Sequence, residues 1–125
     1  MKFSSLSLNT ILQINLKQLH YCDATPIQQQ AIPLIRSGHD LLASAQTGTG
    51  KTAAFTLPIL DLLAKNKSEK VANNTTIKAL ILTPTRELGQ QVAKQLFKFT
   101  KYNSRNNILK SVNTTYTKVR ILSYS

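Results

Sequence analysis

The eight residues from Ala45 to Thr52 (Ala-Gln-Thr-Gly-Thr-Gly-Lys-Thr) have the types and order that phosphate binding requires. A short apolar run at 40–43 precedes them, and apolar residues at helical spacing follow Lys51, which predicts a loop between a strand and a helix. Glycines let such a loop aim backbone N–H groups at phosphate oxygens, because they have no Cβ atom. The start of the helix adds the positive end of its dipole. The segment therefore predicts a site for the phosphates of a nucleotide.

Side-chain chemistry assigns roles within this loop. Lys51 would reach the β- and γ-phosphates and the Thr52 hydroxyl would bind Mg²⁺, so these two are the candidate catalytic residues and Thr52 is the candidate metal ligand. The alternative is a glycine-rich turn before a helix with an ordinary surface lysine, since the strict pattern begins with glycine rather than Ala45. The flanking elements favour the nucleotide site, whose candidate residues are Ala45, Gln46, Thr47, Gly48, Thr49, Gly50, Lys51 and Thr52.

Four helices are predicted around this loop. Apolar spacing predicts the first at 8–19, and Thr25-Pro26 is typical of the cap and first turn of a second, which ends near Arg36. The third covers about 51–63, with a kink at Pro58. The fourth opens at Thr83-Pro84, and its buried side is predicted to hold Leu88, Val92, Leu96 and Phe99.

Strands are predicted between these helices. One covers 40–43, and a second covers 77–83, where the nearly continuous apolar run is typical of a strand buried on both faces. Polar residues at 65–76 predict a surface loop, and shorter strands are predicted at 107–112 and 118–123. Because strands and helices alternate, we expect an α/β fold with a parallel sheet and flanking helices.

Composition excludes several classes of protein. The 125 residues suit one small domain, and 42% hydrophobic residues suffice for a packed core. The longest apolar run, Ala79–Leu82, is too short for a membrane span, and the first residues lack the apolar stretch of a signal peptide. The single cysteine, Cys22, argues against disulfides, including a disulfide-linked partner. We therefore expect a cytoplasmic protein with no membrane contact.

Positive charge is the other notable property. Sixteen Lys and Arg stand against five Asp and Glu, for a net charge of +11, and no acidic residue follows Glu87. Such an excess favours a polyanionic partner such as nucleic acid. The alternative is a solvated basic surface.

The loop and two further segments resemble, in order and spacing, the motifs of the DEAD-box ATP-dependent RNA helicases, of bacterial type. Ala-x-Thr-Gly-x-Gly-Lys-Thr is that family's own form of the phosphate loop, so Ala45 fits the resemblance. The resemblance implies a partial RecA-like phosphate-loop domain, ATP and Mg²⁺ as cofactors, and RNA as a partner. It also implies an ATP hydrolase, the activity of the complete helicases.

The second segment, Thr25-Pro26-Ile27-Gln28, resembles the family's adenine-recognition motif, although Ala24 replaces a proline and His20 replaces a glycine. By that resemblance Gln28 hydrogen-bonds the adenine edge, and Phe3, seventeen positions before His20, covers the ring. An amide offers both a donor and an acceptor, as adenine does. The alternatives are a surface glutamine and a core phenylalanine.

The third segment, Pro84-Thr85-Arg86-Glu87-Leu88 with Gln91, resembles a family motif that contacts the backbone of single-stranded RNA, with Gly89 in place of alanine. The resemblance implies that Pro84, Thr85 and Arg86 bind RNA. A helix start can contact phosphates without reading bases. The alternative is a capped helix in which Arg86 pairs with Glu87 or Asp61.

The motifs divide the chain into an adenine-recognition segment at 1–30, the amino-terminal part of a RecA-like domain at 31–100, and a basic, poorly matching tail at 101–125. The family's Asp-Glu-Ala-Asp box and second domain are missing. We therefore expect a truncated chain that is inactive alone, either the product of a disrupted gene or a short protein that binds nucleotide or RNA without catalysis. Another class of phosphate-loop NTPase and a basic protein that binds RNA by charge alone are further alternatives.

Overall fold

A computed structural model describes residues 1–65 and 79–100. The regular elements of these two ranges are all helical. They are a short 3-10 helix at Phe3–Leu6, α1 at Thr10–Gln18, α2 at Pro26–Arg36, α3 at Lys51–Lys65 and α4 at Arg86–Thr100. The four predicted α-helices are confirmed, with ends that differ from the predicted ones by about two residues at most.

Polar side chains define where α1 and α2 begin. The Asn9 side chain accepts a hydrogen bond from the Ile11 N–H at 2.9 Å and caps α1. Gln28 accepts from the Thr25 N–H at 2.9 Å at the start of α2, where Pro26 occupies the first turn. In each case a side chain binds an N–H group that lacks a partner within the helix.

The core lies where these helices meet. Leu16, Ile32, Leu57 and Phe99, one from each α-helix, expose 1% or less of their surface. The largest helix–helix contact is between α2 and α3. Burial of such side chains contributes about 2 kcal/mol each, so these contacts dominate the packing.

The amino-terminal turn joins this core through aromatic rings. Tyr21 lies between Phe3 and Phe99, in edge-to-face contacts with ring centroids 6.2 Å and 5.5 Å apart. The side chain of Asn15, fully buried in α1, donates to the Phe99 carbonyl of α4 at 2.6 Å. The amino-terminal region, from Phe3 to Tyr21, is therefore joined to α4 by both apolar and polar contacts.

The two strands predicted at 40–43 and 77–83 are not found within the described residues. Residues 40–43 and 79–82 form no strand, and Leu42 is fully exposed while Leu80 is 62% exposed. A strand needs a neighbouring strand for its backbone hydrogen bonds, and neither segment has one in the described ranges. The predicted parallel sheet is therefore not confirmed.

Several other predictions depend on residues outside the described ranges. These are the loop at 66–76, the first two residues of the second strand and both strands beyond residue 106. The prediction that Leu88 lies on the buried side of α4 is wrong, because Leu88 is 43% exposed. The buried stripe of α4 consists of Gly89, Val92, Leu96 and Phe99. One residue shifts the stripe by about 100° around a helix, which turns Leu88 away. Helix α3 continues through the buried Pro58, whose predicted kink stays a prediction.

In the part of the chain that the structure describes, no helix has both the length and the apolar character needed to cross a lipid bilayer.

Candidate nucleotide-binding site

The loop before α3 has the backbone conformation that its glycines predict. Gly48 and Gly50 both have φ +83°, a left-handed conformation that other residues rarely adopt. The Thr49 hydroxyl donates to the Gln46 carbonyl at 2.6 Å and closes the turn. The Gly50 carbonyl accepts from the Ala54 N–H at 3.1 Å, as the residue before a helix does. The loop thus leads directly into the start of α3, where unpaired N–H groups can bind an anion.

Gln28 connects α2 to this loop. Its Nε2 donates to the Gly50 carbonyl at 3.1 Å, while its Oε1 accepts from the Thr25 N–H. The side chain is only 3% exposed, which excludes the alternative of a plain surface glutamine. Because an amide has a second N–H and a second lone pair, both ends keep capacity for one further partner.

Gly50 is where α2 and the loop come closest together. A Cβ atom added at Gly50 would collide with Gln28 Nε2 and lie 3.2 Å from Thr25 Oγ1, whereas one added at Gly48 would meet nothing within 4 Å. Only glycine therefore satisfies both the backbone conformation and the close approach at position 50.

A hollow of about 350 Å³ opens beside this contact, and such a volume is typical of a small-molecule site. It is lined by Leu19, His20, Tyr21, Cys22, Asp23, Thr25, Gln28, Gly48 and Gly50. The adenine-recognition segment and the glycine loop therefore face one cavity. His20 has φ +62°, which gives a physical reason for the glycine that the family motif has there.

Phe3 does not line this hollow, although it contacts two residues that do, Tyr21 and Cys22. It is 3% exposed, packs against Tyr21, and its backbone N–H donates to the Cys22 carbonyl at 3.1 Å. This placement matches the alternative of a core phenylalanine. A direct contact between Phe3 and a nucleobase stays a prediction.

The last two residues of the loop, Lys51 and Thr52, lie in the first turn of α3. Lys51 is exposed and Thr52 is half-buried. A hydroxyl is a suitable ligand for Mg²⁺, which prefers oxygen atoms. The described residues contain no group of three or more His, Cys, Asp or Glu that could hold a metal ion, and the role of Thr52 as a metal ligand stays a prediction.

The candidate RNA-binding residues lie at the start of α4. Thr85 Oγ1 accepts from the Leu88 N–H at 3.2 Å, and the Thr85 carbonyl accepts from the Gly89 N–H at 3.1 Å, so Thr85 caps the helix. Pro84, Thr85 and Arg86 are all exposed. Of the described residues, none forms an ion pair with Arg86, and Asp61 instead pairs with Arg36 and Lys65. The alternative pairing of Arg86 with Asp61 is therefore wrong.

Two features of the described residues are not predicted from the sequence. One is the buried pairing of Asp61 with Arg36, for which a lone acid in an apolar helix is the available signal. The other is the left-handed backbone of His20 and its position on the hollow.

Comparison with known proteins identifies the class to which this arrangement belongs. The family described as DEAD/DEAH box helicase matches residues 25–123. The DEAD-box ATP-dependent RNA helicase RhpA from Helicobacter pylori is 41% identical over 106 residues, which cover 85% of this chain and 20% of RhpA. For the DEAD-box ATP-dependent RNA helicase CshA from Streptococcus pneumoniae the identity is 46% over 99 residues, 79% of this chain and 18% of CshA.

A solved structure agrees. The crystal structure of the RNA helicase Prp28 from Chaetomium thermophilum, bound to ADP, matches with a TM-score of 0.70 and 40% identity, over 80% of this chain and 24% of that one. The chain therefore belongs to the DEAD/DEAH box helicase family, and its relatives are DEAD-box RNA helicases. The likeness to Prp28 supports a partial RecA-like fold.

The extent of the match bears on the domain boundaries. The chain spans about a fifth of the length of the curated relatives, 20% in the case of RhpA. The family match reaches residue 123 and so includes most of the segment 101–125, which the motifs alone did not connect to the family. The division of the chain at residues 30 and 100 stays a prediction.

Proposed function

We propose that this chain binds ATP with Mg²⁺ through the loop at 45–52 and the amide of Gln28, as the amino-terminal part of an ATP-dependent RNA helicase. The observation that carries the proposal is the contact between Gln28 and Gly50, which brings the adenine-recognition segment onto a loop of two left-handed glycines. A nucleotide in the adjoining hollow would have its base near α2 and its phosphates at the start of α3.

Each group has a defined part in this proposal. Backbone N–H groups of the loop and of the first turn of α3 would bind phosphate oxygens, and Lys51 would neutralise the terminal phosphates. Thr52 would hold Mg²⁺, which supplies charge neutralisation between the β- and γ-phosphates. Gln28 would read adenine with the free capacity of its amide.

Single-stranded RNA is the proposed macromolecular partner, bound at Pro84, Thr85 and Arg86. Exposure of these residues supports contact with the phosphate backbone, as does the Arg86 guanidinium, which pairs with no acidic residue within 1–65 and 79–100. Such contacts are independent of base sequence and weaken as salt rises.

Turnover is not proposed for these 125 residues alone. Hydrolysis needs a carboxylate to hold the metal and orient water, and no acidic residue follows Glu87. The second candidate function is binding of nucleotide or RNA without catalysis. An RNA-stimulated ATPase assay distinguishes them, because turnover that Lys51→Ala abolishes would establish catalysis by this chain.

Calorimetric titration of the purified chain with ATP and Mg²⁺ tests the binding proposal. We expect Lys51→Ala to weaken ATP binding about a hundredfold, because it removes a charge-assisted contact. Lys94→Ala is the matched control, since Lys94 is an exposed lysine on α4 outside the site. Equal affinity of the two variants, or equal affinity for GTP and ATP, would contradict the proposal.

A further inference from the structure

A buried carboxylate lies in α3, away from the phosphate loop. The side chain of Asp61 has no exposed surface, yet it has three partners. It accepts from the Asn9 N–H at 2.7 Å and from Arg36 Nε at 2.8 Å, and Lys65 Nζ lies 3.5 Å away. Nothing in the proposed chemistry of the site uses this group directly.

The partners of Asp61 come from three separate segments. Arg36 is the last residue of α2, and its Nη1 also donates to the Leu6 carbonyl at 3.0 Å, at the end of the amino-terminal 3-10 helix. Asn9 is the cap of α1. We call Asn9, Arg36 and Asp61 the Asp61 cluster. It joins the amino-terminal segment, α2 and α3 at one point inside the protein.

The same two helices carry the two halves of the proposed nucleotide site at their other ends. Gln28 lies in the first turn of α2, about 12 Å along the helix axis from Arg36, and Lys51 begins α3, about 15 Å from Asp61. The α2–α3 contact is therefore held at one end by Asp61 with Arg36 and at the other by Gln28 with the Gly50 carbonyl.

The relative position of α2 and α3 decides whether one nucleotide can reach both Gln28 and the phosphate loop. A slide of α2 along α3 by about 2 Å would stretch the 3.1 Å bond from Gln28 to Gly50 beyond hydrogen-bond distance, even if the bond lies across the helix axis. The fully buried Asp61 carboxylate and the partly exposed Arg36 guanidinium resist such a slide, because separating them leaves an uncompensated carboxylate in the protein interior.

We propose that Asp61 and Arg36 are positioning residues that hold α2 and α3 in the register that lets Gln28 and the phosphate loop bind the same nucleotide. This inference rests on the proposed function. According to this inference, the affinity for ATP depends on the charge pair of Asp61 and Arg36, at the opposite end of the α2–α3 contact. Binding of phosphate by the loop and the start of α3 does not depend on that pair.

The test compares ATP with inorganic tripolyphosphate, each with Mg²⁺, on the full 125-residue chain by calorimetric titration. Asp61→Asn keeps the size of the side chain and removes its charge. We expect ATP binding to weaken about tenfold and tripolyphosphate binding to stay within about twofold of the unsubstituted chain. Lys65→Met is the matched control, because Lys65 is half-exposed and its loss leaves the pair of Asp61 and Arg36 in place.

Two outcomes would overturn the inference while the proposed function stands: equal weakening of ATP and tripolyphosphate, or no change in either. If the unsubstituted chain binds neither compound, the proposed function fails and the inference fails with it. Arg36→Lys is the second variant if Asp61→Asn does not fold, and it carries the same expectation, because lysine keeps the charge but cannot bridge Asp61 and the Leu6 carbonyl. If neither variant folds, the cluster is structural only and the inference is wrong.

Discussion

The four α-helices differ from the two segments that precede α3 and α4 in how their backbone N–H and C=O groups find hydrogen-bond partners. Helices form their hydrogen bonds internally, and they bury Leu16, Ile32, Leu57 and Phe99 against one another. The segments 40–50 and 79–85 carry most of the phosphate loop and two of the candidate RNA-binding residues but contain no strand, and their leucines are exposed. The described core is thus helical, and the loops that would bind ligands lie at its edge.

This contrast teaches that an apolar run is not by itself evidence of burial. Residues 40–43 and 79–82 are as hydrophobic as many core strands, yet they lack a neighbouring strand within the described residues. A helix with one apolar stripe needs only another helix, whereas a strand needs hydrogen-bonding partners along its length.

Two leucines provide the largest test of this contrast. We expect Leu57→Ala to lower the free energy of unfolding by about 4 kcal/mol, because Leu57 has no exposed surface, and Leu42→Ala to change it by less than about 0.5 kcal/mol. Urea denaturation followed by circular dichroism measures both. A large loss in Leu42→Ala would show that 40–43 is a buried strand in solution.

Gly50 tests the close approach between the helical core and the phosphate loop. We expect Gly50→Ala to cost about 3 kcal/mol of stability, from left-handed strain and from the collision with Gln28. Gly38→Ala is the matched control, since Gly38 has φ +81° but open space around it, and strain alone costs about 1 kcal/mol. Equal losses in the two variants would mean that the contact between Gln28 and the loop does not form.

Thr85 tests how the segment before α4 is joined to that helix. We expect Thr85→Ala to cost about 1 kcal/mol, because the N–H of Leu88 loses its partner, while Thr85→Ser keeps the hydroxyl and stays close to the unsubstituted chain. Thermal unfolding of the two variants measures the difference. If serine is as harmful as alanine, the cap is not the source of the effect.

His20 gives the smallest expected effect. We expect His20→Gly to gain about 0.5 kcal/mol, because relief of the left-handed backbone at φ +62° outweighs the extra freedom of glycine in the unfolded chain. His20→Ala should bring no such gain, since alanine keeps the Cβ atom. A gain in His20→Ala would assign the effect to the imidazole ring and not to the backbone.

Much of the candidate site was predictable because it depends on local rules. Glycines before a lysine and a helix start predicted a tightly curved loop leading into α3, and Thr25-Pro26 predicted the start of α2. The family of the chain was likewise predictable from three short motifs, and the comparisons confirm it.

Contacts between residues far apart in the sequence were not predictable in this way. The burial of Phe3 against Tyr21, the pairing of Asp61 with Arg36 and the exposure of Leu42 each depend on residues far away along the chain. Periodicity assigns an apolar face to a segment, but it does not say whether another segment is there to cover it.

The amino-acid sequence by itself determined the helices, the start of α2 at Thr25-Pro26, the glycine loop and the family, because each of these depends on neighbouring residues or on a short motif. Only the tertiary structure decided that Gln28 reaches the Gly50 carbonyl, that Asp61 joins three segments and that the leucines of 40–43 and 79–82 are exposed. Contacts between distant residues depend on how whole helices pack, and packing is a property of the folded chain as a unit.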